Sequence, residues 1–269
     1  LLVAKNLCKQ YSQTQGFFSR KKNIIHALDD VSINISKGKT IAVVGESGSG
    51  KSTLAKSLIR LIKLDTGHIE FNGNNFLDLN GTKLKGARKD IQMIFQDPYA
   101  SLNPRMKINA IMEEPLLIHQ IGTQIMRQKR IEDFITKVGL TRDDLNKYPH
   151  QFSGGQRQRI GIARALILEP KLLICDEPVS ALDVSVQAQI IQLLKALQKE
   201  FGLTYLFITH DLRIVRHIAD EVFVMRHGKV VESGKTDIIF KNPTTPYTKE
   251  LLASIPGTHK TKKGIKNGK

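Results

Sequence analysis

A chain of 269 residues, 41% apolar and 25% charged, is long enough to bury the core of one large folding unit, and no apolar run reaches the roughly 18 residues a membrane-crossing helix needs. Its two cysteines, Cys8 and Cys175, are too few for a disulfide framework or for a cysteine-built zinc or iron–sulfur site. The net charge of +16 raises nucleic acid as a partner, but the Lys and Arg residues are scattered, and their densest run is the terminal HKTKKGIKNGK from His259 to Lys269. That run reads as a solvated end, with attraction to an anionic membrane surface as the alternative. No secretory signal is visible; because the sequence opens on Leu1 rather than Met, a few residues are expected to be missing from its start, and a cytoplasmic location is expected.

In chain order, LLVAKNL and VSINIS read as antiparallel strands separated by a polar, basic insertion around Thr14 to Asn23. The continuous apolar run TIAVV predicts a buried strand. A glycine-rich turn follows, and KSTLAKSLIRLI predicts a helix with Leu54, Leu58, Leu61 and Ile62 on one face. From about Pro98 to Leu145 strand runs are lacking and the apolar residues stand at helical spacing, as in IEDFITKVGL, which predicts a helical insertion. Beyond it, helix and strand alternate: QRQRIGIARALIL, KLLICD, VQAQIIQLLKALQKEFG, LTYLFIT and a short helix from Leu212. Alternation with continuous apolar strands predicts a parallel sheet covered by helices on both faces, in which Cys175 is a small buried hydrophobe. The stretch EVFVMRHGKVVESG closes the series as a hairpin turning at His227-Gly228.

Gly45, Glu46, Ser47, Gly48, Ser49, Gly50, Lys51 and Ser52 fit G-x-x-x-x-G-K-[ST] between a predicted strand and a predicted helix, the context this pattern requires. The glycines let successive N–H groups converge on phosphate oxygens, and the helix start adds its dipole. Lys51 then reaches the β- and γ-phosphates, and the Ser52 hydroxyl ligates Mg²⁺. Asp176 ends the run KLLICD, and Glu177 follows. Asp176 is the candidate for holding the Mg²⁺ shell and Glu177 for the general base that orients the attacking water; the alternative is a strand end with two solvated acids. His210 ends LTYLFIT, with Asp211 as the N-cap of the next helix. Carboxyl ends of parallel strands line one crevice, so Lys51, Asp176 and His210 should gather there, which gives His210 a γ-phosphate-sensing role in place of a structural one.

Phe152-Ser153-Gly154-Gly155-Gln156 resembles the LSGGQ signature of the ATP-binding-cassette ATPases, with Phe152 in place of the usual Leu, and stands between the phosphate loop and the acidic pair as that family requires. The resemblance covers nearly the whole chain. It implies that Tyr11 stacks on adenine, that Gln96 is the loop glutamine touching Mg²⁺, that Thr53 joins the nucleotide contacts, and that Ser180-Ala181-Leu182-Asp183 is the loop after the acidic pair. The implied fold is α/β, a P-loop NTPase with a mostly parallel sheet, flanking helices, an N-terminal antiparallel β subdomain and a helical insertion. As one domain, it would comprise a core over residues 1–97 and 159–235, a helical subdomain over 98–158, a C-terminal extension over 236–258 and the tail 259–269. The implied ligands are ATP and Mg²⁺. Two such subunits pack head to tail in the family, so Ser153, Gly154, Gly155, Gln156 and Asp183 would contact ATP held by the partner subunit.

Within the family, GFFSRKKN, QDPYASLNPRM, EPVSALDVSVQAQI and NPTTPYTKELLASIP are similar to the ATPase subunits of oligopeptide and dipeptide importers. This implies MgATP hydrolysis coupled to peptide import, with nickel, glutathione or another small solute as alternatives. It also implies a second ATPase subunit in a heterodimer or, less favoured, a homodimer, two transmembrane permease subunits, an indirect link to an extracytoplasmic solute-binding protein, and a position on the cytoplasmic face of the inner membrane. Nucleic-acid-associated relatives carry long coiled coils, zinc cysteines or tandem cassettes; none is seen here, so no nucleic-acid partner is expected. No cysteine follows Cys175, so the iron–sulfur centre of some members of this branch is not implied.

Overall fold

The structure, a computed structural model, describes residues 1–14 and 22–255. The centre of the insertion, with Gly16, Phe17 and Phe18, and the basic tail from His259 lie outside the described residues. Strands β1 (Leu2–Thr14) and β2 (Lys22–Ile35) pair antiparallel from Leu2↔Ile35 to Thr14↔Lys22, so both run past the short pieces expected and into the flanks of the insertion. After β3 (Thr40–Val44) comes α1 (Lys51–Leu58), which ends before the expected Ile62. Arg60 turns the chain at φ 57, and the Lys56 carbonyl accepts from Leu61 N at 2.8 Å and Ile62 N at 3.3 Å. This closes the helix end and leaves Leu61 54% exposed instead of on the buried face.

Strands β4 (Thr66–Phe71) and β5 (Asn74–Asn75) complete a four-stranded sheet in the order β2-β1-β4-β5. Helix α2 (Gly81–Asp90) leads into β6 (Ile91–Ile94). The elements from β4 to β6 had no expectation from sequence: β4 buries only Ile69 and Phe71, and β6 is too short to show a period. From there to the next strand the described elements are all helical, with α3 (Pro98–Ser101), α4 (Ile108–Ile118), α5 (Gln124–Lys137), two 3₁₀ turns and α6 (Gly154–Leu166). Helix α6 runs across the boundary expected at residue 158.

The rest alternates as expected: β7 (Leu172–Asp176), α7 (Val184–Phe201), β8 (Thr204–Ile208), α8 (Leu212–Ile218), the hairpin β9 (Glu221–Arg226) and β10 (Lys229–Lys235), then α9 (Thr236–Lys241) and α10 (Pro246–Ala253). The main sheet has the order β10-β9-β3-β8-β7-β6, parallel from β9 to β6, with only β10 antiparallel. The two-residue side-chain period explains its continuous apolar runs. Ile41, Val43, Leu172, Ile174, Leu206 and Ile208 pack toward α1 and the antiparallel sheet, while Leu173, Cys175, Tyr205 and Phe207 pack among the helices of the insertion, α6 and α7. Ala42, Val44, Val222 and Val224 join α8, α9 and α10 through Leu212, Ile239 and Tyr247. Each fully buried aliphatic side chain contributes roughly 1.5–3 kcal/mol. The parallel strands therefore end together, and the loops after β3, β7 and β8 share one edge.

Candidate nucleotide site

The turn after β3 is set by glycine. A Cβ on Gly45, at φ 151, would lie 2.1 Å from the Met225 carbonyl oxygen, and one on Gly50, at φ 104, would lie 2.2 Å from that of Ala27. Only a bare backbone passes there. Glu46, Ser47 and Gly48 form the exposed crown of the loop, Ser49 is buried beneath it, and Ser52 and Thr53 are half-buried in the first turn of α1. Lys51 folds back under the loop, where its Nζ donates to the carbonyl oxygens of Gly45 and Glu46, each at 2.7 Å. Burial lowers its pKa, opposed by the nearby carboxylates of Glu177, Asp176 and Glu46.

Asp176 at the end of β7 accepts from Ser52 Oγ at 3.0 Å. Burial raises its pKa, countered by that hydrogen bond and by Lys56 and Lys51. Two oxygen donors, one a buried carboxylate whose charge is poorly solvated, suit a hard cation such as Mg²⁺. No group of three or more His, Cys, Asp or Glu capable of holding a metal occurs among the described residues.

Glu177 has φ 46, a conformation uncommon for a side-chain-bearing residue, and its N–H is fixed by donation to the Ile208 carbonyl at 2.9 Å. Its carboxylate is held from two sides: Gln96 Nε2 donates to Oε2 at 3.0 Å, and His210 Nδ1 lies 3.3 Å from Oε1. Gln96 follows β6 and precedes Asp97, whose side chain caps α3. His210 follows β8, and Asp211 caps α8 by accepting from Arg213 N at 2.8 Å, as expected. The structure thus gathers the loop, Lys51, Ser52, Gln96, Asp176, Glu177 and His210 at one sheet edge.

Two other sets stand elsewhere on the chain. Tyr11, on β1, is 40% exposed, which excludes a packed core role, and Lys9 Nζ lies 5.4 Å from its ring centroid. Ser153 caps α6 in a reciprocal box, its Oγ accepting from Gln156 N at 3.3 Å while Gln156 Oε1 accepts from Ser153 N at 3.0 Å. Gly154 and Gly155 lie close against Leu182 and Val186, so the signature segment packs on the loop carrying Asp183, the exposed N-cap of α7. Sequence reasoning missed a contact on the far side of the phosphate loop, where Glu46 N–H donates to the Tyr247 hydroxyl at 3.1 Å. Beside it, Gly228 N–H donates to the Ser49 carbonyl at 3.0 Å.

A family model described as "ABC transporter" matches residues 28–180, and one described as "Oligopeptide/dipeptide transporter, C-terminal region" matches residues 231–269. The chain is 50% identical to the oligopeptide transport ATP-binding protein AppF of Bacillus subtilis over 97% of its own length and 79% of the relative's. It is likewise 50% identical to the dipeptide transport ATP-binding protein DppF of Escherichia coli, over 95% and 76%. The dimeric post-hydrolysis structure of the ATP-binding cassette MJ0796, bound to ADP and Pi, superposes with a TM-score of 0.76 at 33% identity, covering 88% of this chain and 99% of that one.

Proposed function

Because the chain belongs to the ABC transporter ATP-binding family, we propose that it is the ATP-hydrolysing subunit of an importer of oligopeptides or dipeptides. The observation that carries the chemical part is the convergence of Lys51, Ser52, Asp176 and Glu177 under a glycine-shaped anion loop at the ends of β3 and β7. The substrate class rests on the relatives' names and on the C-terminal match.

In this reading the amides from Ser47 to Thr53 cradle the triphosphate, with Gly45 and Glu46 shaping the loop beside them, and Lys51 leaves its loop carbonyls for the β- and γ-phosphates. Ser52, Asp176 and Gln96 would hold Mg²⁺, which when bound neutralises charge on the phosphates. Glu177 takes a proton from the attacking water, and the contacts from Gln96 and His210 fix the carboxylate for that task. His210 senses the γ-phosphate, and Tyr11 lies under adenine. Ser153, Gly154, Gly155, Gln156 and Asp183 close over nucleotide held by a second ATPase subunit, a relative of this chain in a heterodimer. Residues 98–158 form the lobe that meets two transmembrane permease subunits, which receive solute from an extracytoplasmic binding protein. No helix among the described residues is long and apolar enough to cross a membrane, and we assign the chain to the cytoplasmic face as a peripheral subunit.

The test is MgATP hydrolysis by the purified chain, alone and reconstituted in vesicles with partner ATPase and permease subunits. Stimulation by the partners, raised further by peptide-loaded binding protein, is the expected result. Stimulation by DNA or RNA instead would overturn the assignment.

A further inference from the structure

The C-terminal segment that matches the peptide-transporter region touches the phosphate loop through Tyr247. We propose that Tyr247 is a positioning residue for the nucleotide site: its hydroxyl clamps one peptide plane of the phosphate loop, so that the C-terminal segment braces the loop in its nucleotide-ready form. This rests on the reading that the loop binds nucleotide.

The geometry is specific. The Gly45 carbonyl and the Glu46 N–H belong to one planar peptide unit and point in opposite directions. The carbonyl accepts from Lys51 Nζ at 2.7 Å, and the N–H donates to Tyr247 Oη at 3.1 Å. That plane is therefore gripped from inside the site by the phosphate-binding lysine and from outside by the tyrosine. Gly45 and Glu46 supply both carbonyls on which Lys51 rests, so rotation of the plane would displace the cation as well as the loop amides.

The tyrosine is itself fixed. It is 4% exposed at the start of α10, and the Arg226 guanidinium lies 4.6 Å from its ring centroid. The turn ahead of it is tied to β10 through Glu232, whose carboxylate accepts from Thr244 N at 2.8 Å, Thr245 N at 3.1 Å and Thr245 Oγ1 at 3.0 Å. Thr245 Oγ1 in turn accepts from Thr248 N at 3.2 Å, capping α10. The hydroxyl thus meets the loop from a rigid seat, and pre-organisation of this kind raises affinity by sparing the ligand the cost of ordering its site.

The test is titration of the full chain with a fluorescent ATP analogue and Mg²⁺, comparing wild type, Tyr247→Phe and Lys51→Ala. The same samples are used for thermal melts and for hydrogen exchange of the Glu46 amide. Tyr247→Phe keeps the ring against Arg226 and removes only the acceptor. It is expected to weaken binding roughly three- to tenfold, the worth of one hydrogen bond, to speed exchange at Glu46, and to leave the thermal midpoint close to wild type. Unchanged affinity in Tyr247→Phe, with binding lost in Lys51→Ala, would overturn the brace while leaving the site intact. Undiminished binding in Lys51→Ala would overturn the site reading itself. Weakened binding accompanied by a collapse of the thermal midpoint would make Tyr247 a folding residue and also contradict the proposal.

Discussion

Gln96 joins two parts of the molecule through one side chain, donating to Glu177 while its neighbour Asp97 caps the first helix of the insertion. Under the proposed function, this is the route by which a change in the nucleotide at Glu177 reaches the start of the lobe assigned to the membrane partners. Gln96→Ala is expected to lower peptide transport in vesicles more than it lowers ATP affinity; equal losses would remove the coupling role. The residues that meet at the sheet edge were legible because their spacing is local: the loop is contiguous, and Asp176, Glu177 and His210 stand where apolar runs stop. Tyr247 was not, because its partner Glu46 is 201 positions away, and no period or motif in one sequence expresses such a pairing.

At the scale of elements, the central strands could be read because burial on both faces leaves a continuous apolar run, as in TIAVV and LLIC. The elements from β4 to β6 could not: partial burial dilutes the pattern, and four residues of β6 carry no period. The end of α1 was misread because Leu61 continues the helical spacing although Arg60 has already reversed the chain. The C-terminal segment is tied to β10 through Glu232. Burial alone would raise its pKa, but hydrogen bonds from Thr248, Thr244 and Thr245 hold it down at about 2 against an ordinary 4.5. A carboxyl depressed in the folded state contributes stability that is present above 4.5 and lost as pH falls from there toward 2. Glu232→Gln is accordingly expected to speed hydrogen exchange and protease cleavage across residues 236–255 at neutral pH, with the main sheet unaffected. Equal protection in the two proteins would show that apolar packing of Ile239 and Tyr247 holds the segment without the carboxylate.

Across the whole molecule, the phosphate loop and the signature segment stand at the N-termini of two separate helices, α1 and α6, and the proposed function gives each an anion to bind. The crown of the first and Ser153 and Gln156 of the second are exposed, which suits completion of each by another subunit. The order of the two segments was legible once the resemblance was drawn, since Ser153 to Gln156 precede Asp176 in the sequence as the family requires, and their completion by another subunit belongs to the proposed function. The choice between an identical and a related partner is not expressed in either motif, and the heterodimer is part of the proposal. Hydrolysis in this account depends on Glu177 as the base. The most direct measurement is ATP turnover and ATP occupancy of the reconstituted assembly carrying Glu177→Gln, a change that keeps shape and removes the proton acceptor. The account predicts retained ATP binding with turnover lowered by ~100-fold or more, the scale of general-base catalysis; turnover near the wild-type rate with ATP bound would contradict it.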